Sequence, residues 1–312
     1  MMPFEQQRMT YRFIPILCGA ICSFVSFACE APPQRLTDSQ FLSAVWQNNS
    51  DLLVEKIQGL IDNNPSISGF LAHKNVLNVF DFDHTLVDTT IKLPVKLPNG
   101  SKKLIDSKCM PLQPGDKPDF SVFENENTYV SRPINASLGR LQLYSKLTDN
   151  WNVILTARSS RRSFSSAQEY LWLKNAEPDA VIALHFSPLE RGLWSKMKLP
   201  RIIDSAPQGY KKPLVIAALI QILKNRGSDI KLVRYFEDTD TYLRNAMQLL
   251  PTLYPNIRFE FFDYIRTGNA NTAQYKEKNV AFAEGGKLFS AINRIFENPE
   301  KYDSGDCVNP TQ

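Results

Sequence analysis

Along this chain the clearest pattern is a set of short apolar runs that lack polar alternation and end in acids or hydroxyls. Residues 76–80 hold too few polar positions for a half-wet antiparallel strand. The run predicts a parallel strand buried on both faces, with its chemistry at its carboxyl end. Residues 152–156 and 232–237 repeat the pattern, ending at Thr156 and at Glu237-Asp238. Elsewhere the pattern is helical. An apolar-rich helix is expected over 214–223 with Pro213 in its first turn, and another over 241–250 with Asp240 as its N-cap. A C-terminal helix is expected over 279–296. Residues 36–64 read as two amphipathic helices, the second opening at Ser50-Asp51 and stopping at Asn63-Asn64-Pro65. The stretch 89–133 differs: Pro, Gly and Lys punctuate short β-like runs such as Ile91-Lys92-Leu93 and Thr128-Tyr129-Val130.

The strand ends carry the candidate chemistry. Val79-Phe80-Asp81-Phe82-Asp83-His84-Thr85-Leu86 brings two carboxylates to a sheet edge. On a strand, Asp81 and Asp83 share a side, one pleat apart. Carboxylates that close repel each other unless a cation lies between them or one is protonated, so the spacing asks for a divalent metal or an acid/base split. Asn152-Val153-Ile154-Leu155-Thr156-Ala157-Arg158 ends in a hydroxyl, followed by an arginine suited to a bidentate phosphate contact or to a surface salt bridge. Leu232-Val233-Arg234-Tyr235-Phe236-Glu237-Asp238-Thr239-Asp240 is again a strand running into acids. In Tyr210-Lys211-Lys212-Pro213, lysines at a helix start oppose the helix dipole, so the pair calls for an anionic partner. Lys212, beside the proline, is the expected inward residue and Lys211 the alternative.

In their chain order these stretches resemble motifs I, II, III and IV of the haloacid dehalogenase (HAD) superfamily. The resemblance covers roughly residues 76–265. It extends to uncharacterised bacterial and phage HAD phosphatases with a small insert after motif I, whose insert Gly115-Asp116-Lys117-Pro118-Asp119-Phe120 resembles. It implies a three-layer α/β fold with a doubly wound parallel sheet, strands near 76–81, 152–156, 181–186, 231–237 and 258–264, and spatial order 5-4-1-2-3. The hydrolase domain would cover 73–300, with a helical segment over 34–72 before it and a cap insert over about 89–133. The resemblance also implies roles. Asp81 would be the nucleophile and Asp83 the acid/base. Thr156 would bind a phosphoryl oxygen, and Lys212 or Lys211 would neutralise the phosphate and the aspartates. Mg²⁺ would be held by Asp81, the Asp83 carbonyl and Asp238, with Glu237 acting through water. The family often places Asp or His four residues after the direct ligand; here that position is Tyr242, and Asp240 comes two residues early.

The expected activity is therefore Mg²⁺-dependent hydrolysis of a small phosphate monoester. The dehalogenase branch lacks the second motif I aspartate and needs no metal, so Asp83 and Asp238 argue against it. A polynucleotide 3′-phosphatase-like enzyme is one alternative, and a non-catalytic exported binding or effector module on the same scaffold is another.

Composition refines this at the margins. A length of 312 residues with 43% hydrophobic positions allows one α/β domain with additions. The formal charge of +4 is too small to argue for nucleic acid by itself. Arg8 and Arg12 precede an uncharged run over 13–29 that ends in small residues. That run suits the apolar region of a secretory signal peptide over 1–28, cleaved after Ala28, better than a membrane span. The chain is then expected to be exported, periplasmic or secreted, with no stable span after cleavage; the alternative is an anchor through 13–29. Cleavage after Ala28 would leave Cys29 at the new N-terminus together with Cys109 and Cys307, and an oxidising compartment would allow the last two to pair. The tail over 301–312 is expected to be flexible.

Overall fold

The computed structural model of the chain describes residues 36–62, 74–90, 92–106, 115–119, 121–122, 130–158, 161–184, 192–200, 209–267 and 274–290. In chain order its elements are α1 (Asp38–Asp62), β1 (Val76–Phe80), β2 (Val87–Thr90), β3 (Lys92–Lys96), β4 (Lys102–Asp106), β5 (Lys117–Pro118), β6 (Val130–Pro133), α2 (Asn135–Tyr144), β7 (Asn150–Thr156), α3 (Arg161–Leu173), β8 (Ala180–Ala183), α4 (Lys211–Asn225), β9 (Leu232–Glu237), α5 (Asp240–Leu253), β10 (Arg258–Thr267), β11 (Gln274–Glu284) and β12 (Lys287–Ser290). The signal segment, the Cys109 and Cys307 pairing and the tail lie outside the described residues. No helix among those residues is long and apolar enough to cross a membrane.

The architecture is mixed α/β: a mostly parallel central sheet with helices on both faces. Its strands lie in the order β12-β11-β10-β9-β1-β7-β8. Five are mutually parallel, and counted in chain order they read 5-4-1-2-3 across the sheet. The central strands are apolar on both sides because both sides are covered. Leu77 and Val79 of β1, Trp151 and Val153 of β7, and Val233 and Tyr235 of β9 face a core shared with α1, α4 and α5. The alternate positions Phe80, Ile154 and Phe236 face a second core shared with α2 and α3. In that core three strands stack one ring each: Phe80 on Phe236 at 4.3 Å and Phe236 on Phe262 at 4.5 Å between centroids. These cross-strand aromatic pairs pin the register of β1, β9 and β10 beneath the strand ends.

Two expected helical features are corrected. Residues 38–62 form one continuous helix, not two. Its apolar stripe runs at four-residue steps through Phe41, Val45, Leu53, Ile57 and Ile61, and Asn49 sits in the same stripe. The sequence Asn49-Ser50-Asp51 has the composition of a helix break and restart. Asn49 instead spends its side chain on tertiary contacts, accepting the Lys198 N–H at 2.6 Å and donating to the Lys198 carbonyl at 3.1 Å and the Val45 carbonyl at 2.7 Å. The second correction is at the C-terminal end, where the helix expected over 279–296 gives way over 279–290 to β11 and β12, an antiparallel hairpin on the sheet edge, and 291–296 lie outside the described residues. Its turn is Gly285-Gly286, with φ of 59° and 73°, the conformation a two-residue hairpin requires and glycine supplies without strain.

The stretch between β1 and α2, which contains the insert expected over about 89–133, forms two small sheets of its own. β2 pairs with β6 as an antiparallel ribbon, and β4, β3 and β5 form a separate three-stranded sheet in that order. The ribbon starts at Val87, four residues after Asp83, so the insert grows directly from the carboxyl end of β1.

Phe236 is fully buried between two stacked rings. Phe236→Ala should cost about 3–5 kcal/mol, the usual range for removing a core phenylalanine. Urea unfolding followed by tryptophan fluorescence measures this, and a loss under about 1 kcal/mol would mean that the ladder does not hold the sheet.

Candidate active site

Side-chain alternation decides which residues meet at the strand ends. Leu77, Val79 and Asp81 point to one side of the β1 line, and Val233, Tyr235 and Glu237 to the same side of β9. That side is covered by α4, whose first turn carries Lys212. The Asp81 N–H donates to the Phe236 carbonyl at 2.9 Å, tying the end of β1 to β9. Lys212 Nζ then lies 2.7 Å from Asp81 Oδ1 and 2.7 Å from Glu237 Oε2, with all three side chains almost wholly removed from solvent. Lys212 is thus the inward lysine. The Lys211 ammonium lies over the Trp194 ring, 5.5 Å from its centroid.

Glu237 is saturated with donors. Its Oε2 accepts Lys212 and the Tyr235 hydroxyl at 2.5 Å, and its Oε1 accepts the N–H groups of Asp238 at 3.1 Å and Thr239 at 3.0 Å. It therefore caps the strand-to-helix turn as well as pairing with the lysine. Burial, with Glu237 beside it, pushes the Asp81 carboxyl well above the ordinary carboxylate range against the pull of Lys212. Glu237 is likewise raised, chiefly by burial. Burial alone would lower the Lys212 ammonium, but Asp81 and Glu237 outweigh it and hold it above an ordinary lysine.

Carboxylate oxygens of Asp81, Glu237 and Asp238 lie within 4.8 Å of one another. When all are ionised, three negative charges face the Lys212 ammonium, a surplus of −2 with Asp81 and Glu237 buried and Asp238 half-buried. Hard oxygen donors with surplus negative charge suit a metal cation. The donor set fits such an ion, and both oxygens of Glu237 already accept hydrogen bonds.

Asp83 does not join this group. Arg158 holds it in a bidentate pair, Nε to Oδ2 at 3.0 Å and Nη2 to Oδ1 at 2.9 Å, and Thr89 donates to Oδ1 at 2.7 Å. Arg158 is itself fixed, donating to Ser166 Oγ at 2.9 Å and lying 4.7 Å over the Phe82 ring. The guanidinium is buried, so the surface salt bridge considered for it is an inner one. Burial resists ionisation of Asp83, but Arg158 and Thr89 overcome it and hold the carboxyl below its usual range. The pleat argument fails here because β1 stops at Phe80; the chain turns at His84, whose φ is 63°, and bridges Asp83 to Val87.

Thr156 closes β7, fully buried, with its Oγ1 accepting the Arg158 N–H at 3.2 Å. The pairing of Phe80 with Ile154 brings it to the same edge as Asp81. Asp240 is not the N-cap of α5. That position is Thr239, and Asp240 is the first helical residue, paired with Arg244 one turn on and favourably placed against the helix dipole.

Sequence reasoning missed three supports of this site. Tyr235 could have been found, since it stands two residues before Glu237 on a strand. Tyr242 puts its ring 4.7 Å from Lys212 Nζ, so an aromatic face stands against the cation where an acid or histidine was the expected type. Gly209 has φ +73°, and a Cβ there would lie 2.8 Å from the Thr241 carbonyl carbon. Only glycine lets the turn before α4 press this closely on the start of α5, and no sequence signal marks that approach.

Comparison with known proteins yields no matching family model, no matching curated protein and no matching solved structure.

The Arg158 pair makes a pH-dependent contribution. Its removal by Arg158→Met should cost about 3 kcal/mol at pH 7, the lower end for breaking a buried pair, because 22% of the Asp83 side chain stays accessible. Asp83 is depressed in the folded state, so the pair's contribution is present above the unfolded carboxyl value near ~3.9 and fades as pH falls through the lower folded value. Chemical unfolding at a series of pH values should therefore show the gap between the two proteins shrinking on acidification. A constant gap would disprove the electrostatic assignment.

Proposed function

We propose that this chain is a Mg²⁺-dependent phosphohydrolase of the HAD type, cleaving a phosphate monoester through an aspartyl-phosphate on Asp81. The observation that carries the reading is the junction of Asp81, Lys212, Glu237 and Asp238 at the carboxyl ends of β1 and β9, with one lysine 2.7 Å from two of the acids. The parallel strand order β10-β9-β1-β7-β8 supports it, as does the arrival of Thr156 at the same edge.

The chemistry follows from where charge is held. Lys212 keeps Asp81 oriented at the edge, and its ammonium is placed to balance charge on an incoming phosphoryl group. Asp81 attacks phosphorus in line as the ester oxygen leaves, and water then cleaves the acyl phosphate. Thr156 is available to donate to a phosphoryl oxygen. Asp83, as Arg158 holds it, is ionised but has both oxygens engaged and its basicity lowered, so deprotonating that water requires a carboxylate oxygen to be released. Its service as the acid for the leaving oxygen requires the Arg158 pair to open when substrate binds. Asp81, Asp238 and the Asp83 carbonyl, with Glu237 through water, would hold Mg²⁺, which would supply the positive charge that these acids, when ionised, leave unbalanced.

A panel of aryl and alkyl phosphates, assayed with and without Mg²⁺, tests the reading. Turnover should appear with Mg²⁺, vanish on chelation and be abolished by Asp81→Asn, which fills the same space without a nucleophile. Lys212→Ala should lower kcat on the order of 10²-fold, the scale for losing one electrostatic stabiliser. Asp238→Ala should raise the Mg²⁺ requirement sharply while Asp240→Ala leaves it nearly unchanged. Turnover retained in Asp81→Asn, or absent across the whole panel, would sink the proposal.

A further inference from the structure

The insert carries an array that the phosphohydrolase reading does not use. In the three-stranded sheet Lys96 of β3 stands opposite Lys102 of β4 on one side and opposite Lys117 of β5 on the other. Strands are about 4.8 Å apart, so three lysines form one straight row about 10 Å long across the sheet. All three are exposed. Alternation puts them on the outer face, while Leu93 and Val95 are buried on the inner one. The one lysine of β4 on the inner side, Lys103, has its acid, Asp116 Oδ2 at 3.4 Å. Among the described residues no carboxylate forms an ion pair with Lys96, Lys102 or Lys117. Asp119, next along the outer side, is engaged by the Ser121 N–H at 3.0 Å and feels the Lys102 charge without forming an ion pair with it.

Like charges directly opposite each other weaken strand pairing. Two such contacts in so small a sheet are a standing cost that a bound polyanion would remove. The shape of the array selects among polyanions. A flat anionic surface would bring Asp119 against its own sign and would need a broad basic patch, whereas a linear chain of phosphates can follow the row and miss it. Position gives the row a purpose. Thr89 touches Asp83 directly, and Lys96 is seven residues further on, within roughly 25 Å by chain reach.

The geometry points to a docking strip for single-stranded nucleic acid, bound through its backbone phosphates without sequence preference, with its terminal phosphate presented to the site at Asp81. The choice of a phosphate polymer over a carboxylate one rests on the proposed phosphohydrolase activity. No aromatic residue stands in the row, so the contact is electrostatic and strongly salt-dependent.

The test is fluorescence anisotropy of a labelled oligothymidylate without a terminal phosphate, titrated with the full-length chain in chelator across a range of KCl concentrations. Three phosphate contacts contribute about −2 to the slope of log affinity against log salt, so the row should account for a roughly twentyfold loss between 50 and 200 mM. The variant Lys96→Gln/Lys102→Gln/Lys117→Gln should have a slope shallower by about 2. It should also unfold no earlier than the parent, since repulsion has been relieved, and turn over an aryl phosphate at the parent rate. Absent binding, binding unchanged in the triple variant, or row-dependent binding to phosphatidylserine vesicles or polyglutamate but not to the oligonucleotide would overturn the proposal. Row-dependent oligonucleotide binding in a protein that hydrolyses no phosphoester would instead leave the strip standing and remove the phosphohydrolase reading.

Discussion

The constraint on which the rest depends is the burial of the Lys212 ammonium between Asp81 and Glu237. Taking a lysine and two carboxylates out of water is costly unless each finds close partners of opposite charge and its remaining hydrogen-bonding capacity is met. Here the partners come from three separate elements: the end of β1, the end of β9 and the first turn of α4. The surroundings follow from that need. Tyr235 and two backbone N–H groups complete Glu237, Tyr242 lays its ring against the ammonium, and Gly209 brings α4 and α5 close enough for the first turn of each to share the place.

Such a charge cluster is useful only if it cannot relax. The opposite face of the sheet supplies the stiffness, since Phe80, Phe236 and Phe262 lock three strands in register one residue below the acids. A change of register by one residue in β9 would turn Glu237 to the other face. The aromatic ladder and the acidic cluster are thus two consequences of one alternation.

Asp83 belongs to a second, neutral unit. Arg158 spans from the end of β7 to Asp83, Phe82 and Ser166, and Thr89 adds a bond from the ribbon that leads into the insert. The root of the insert is therefore joined to the site by a charged contact rather than by a hinge of glycines.

Much of this was legible in the sequence, for local reasons. A run such as 76–80 that is apolar at nearly every position and stops after five residues reads as a strand covered on both faces, which puts the acids at its end on the sheet edge. Pro213 marks the first turn of α4, and Lys212 beside it turns inward as expected. What tertiary structure alone decided were matters of partner and competition. Asn49 looks like a helix break until the Lys198 backbone is there to occupy it. Residues 279–290 carry helix formers such as Ala281, Ala283 and Leu288, but the edge of β10 offered a ladder, and Gly285-Gly286 made the return. Asp83 was expected beside Asp81 because a pleat was extrapolated past the end of the strand. The chain turns there, and Arg158, seventy-five residues away, supplies the charge that holds Asp83 apart. Sequence determined the residue types and the ends of the elements, because those follow from local hydrophobicity and charge. Which charges became partners was settled only when the sheet brought distant strand ends together.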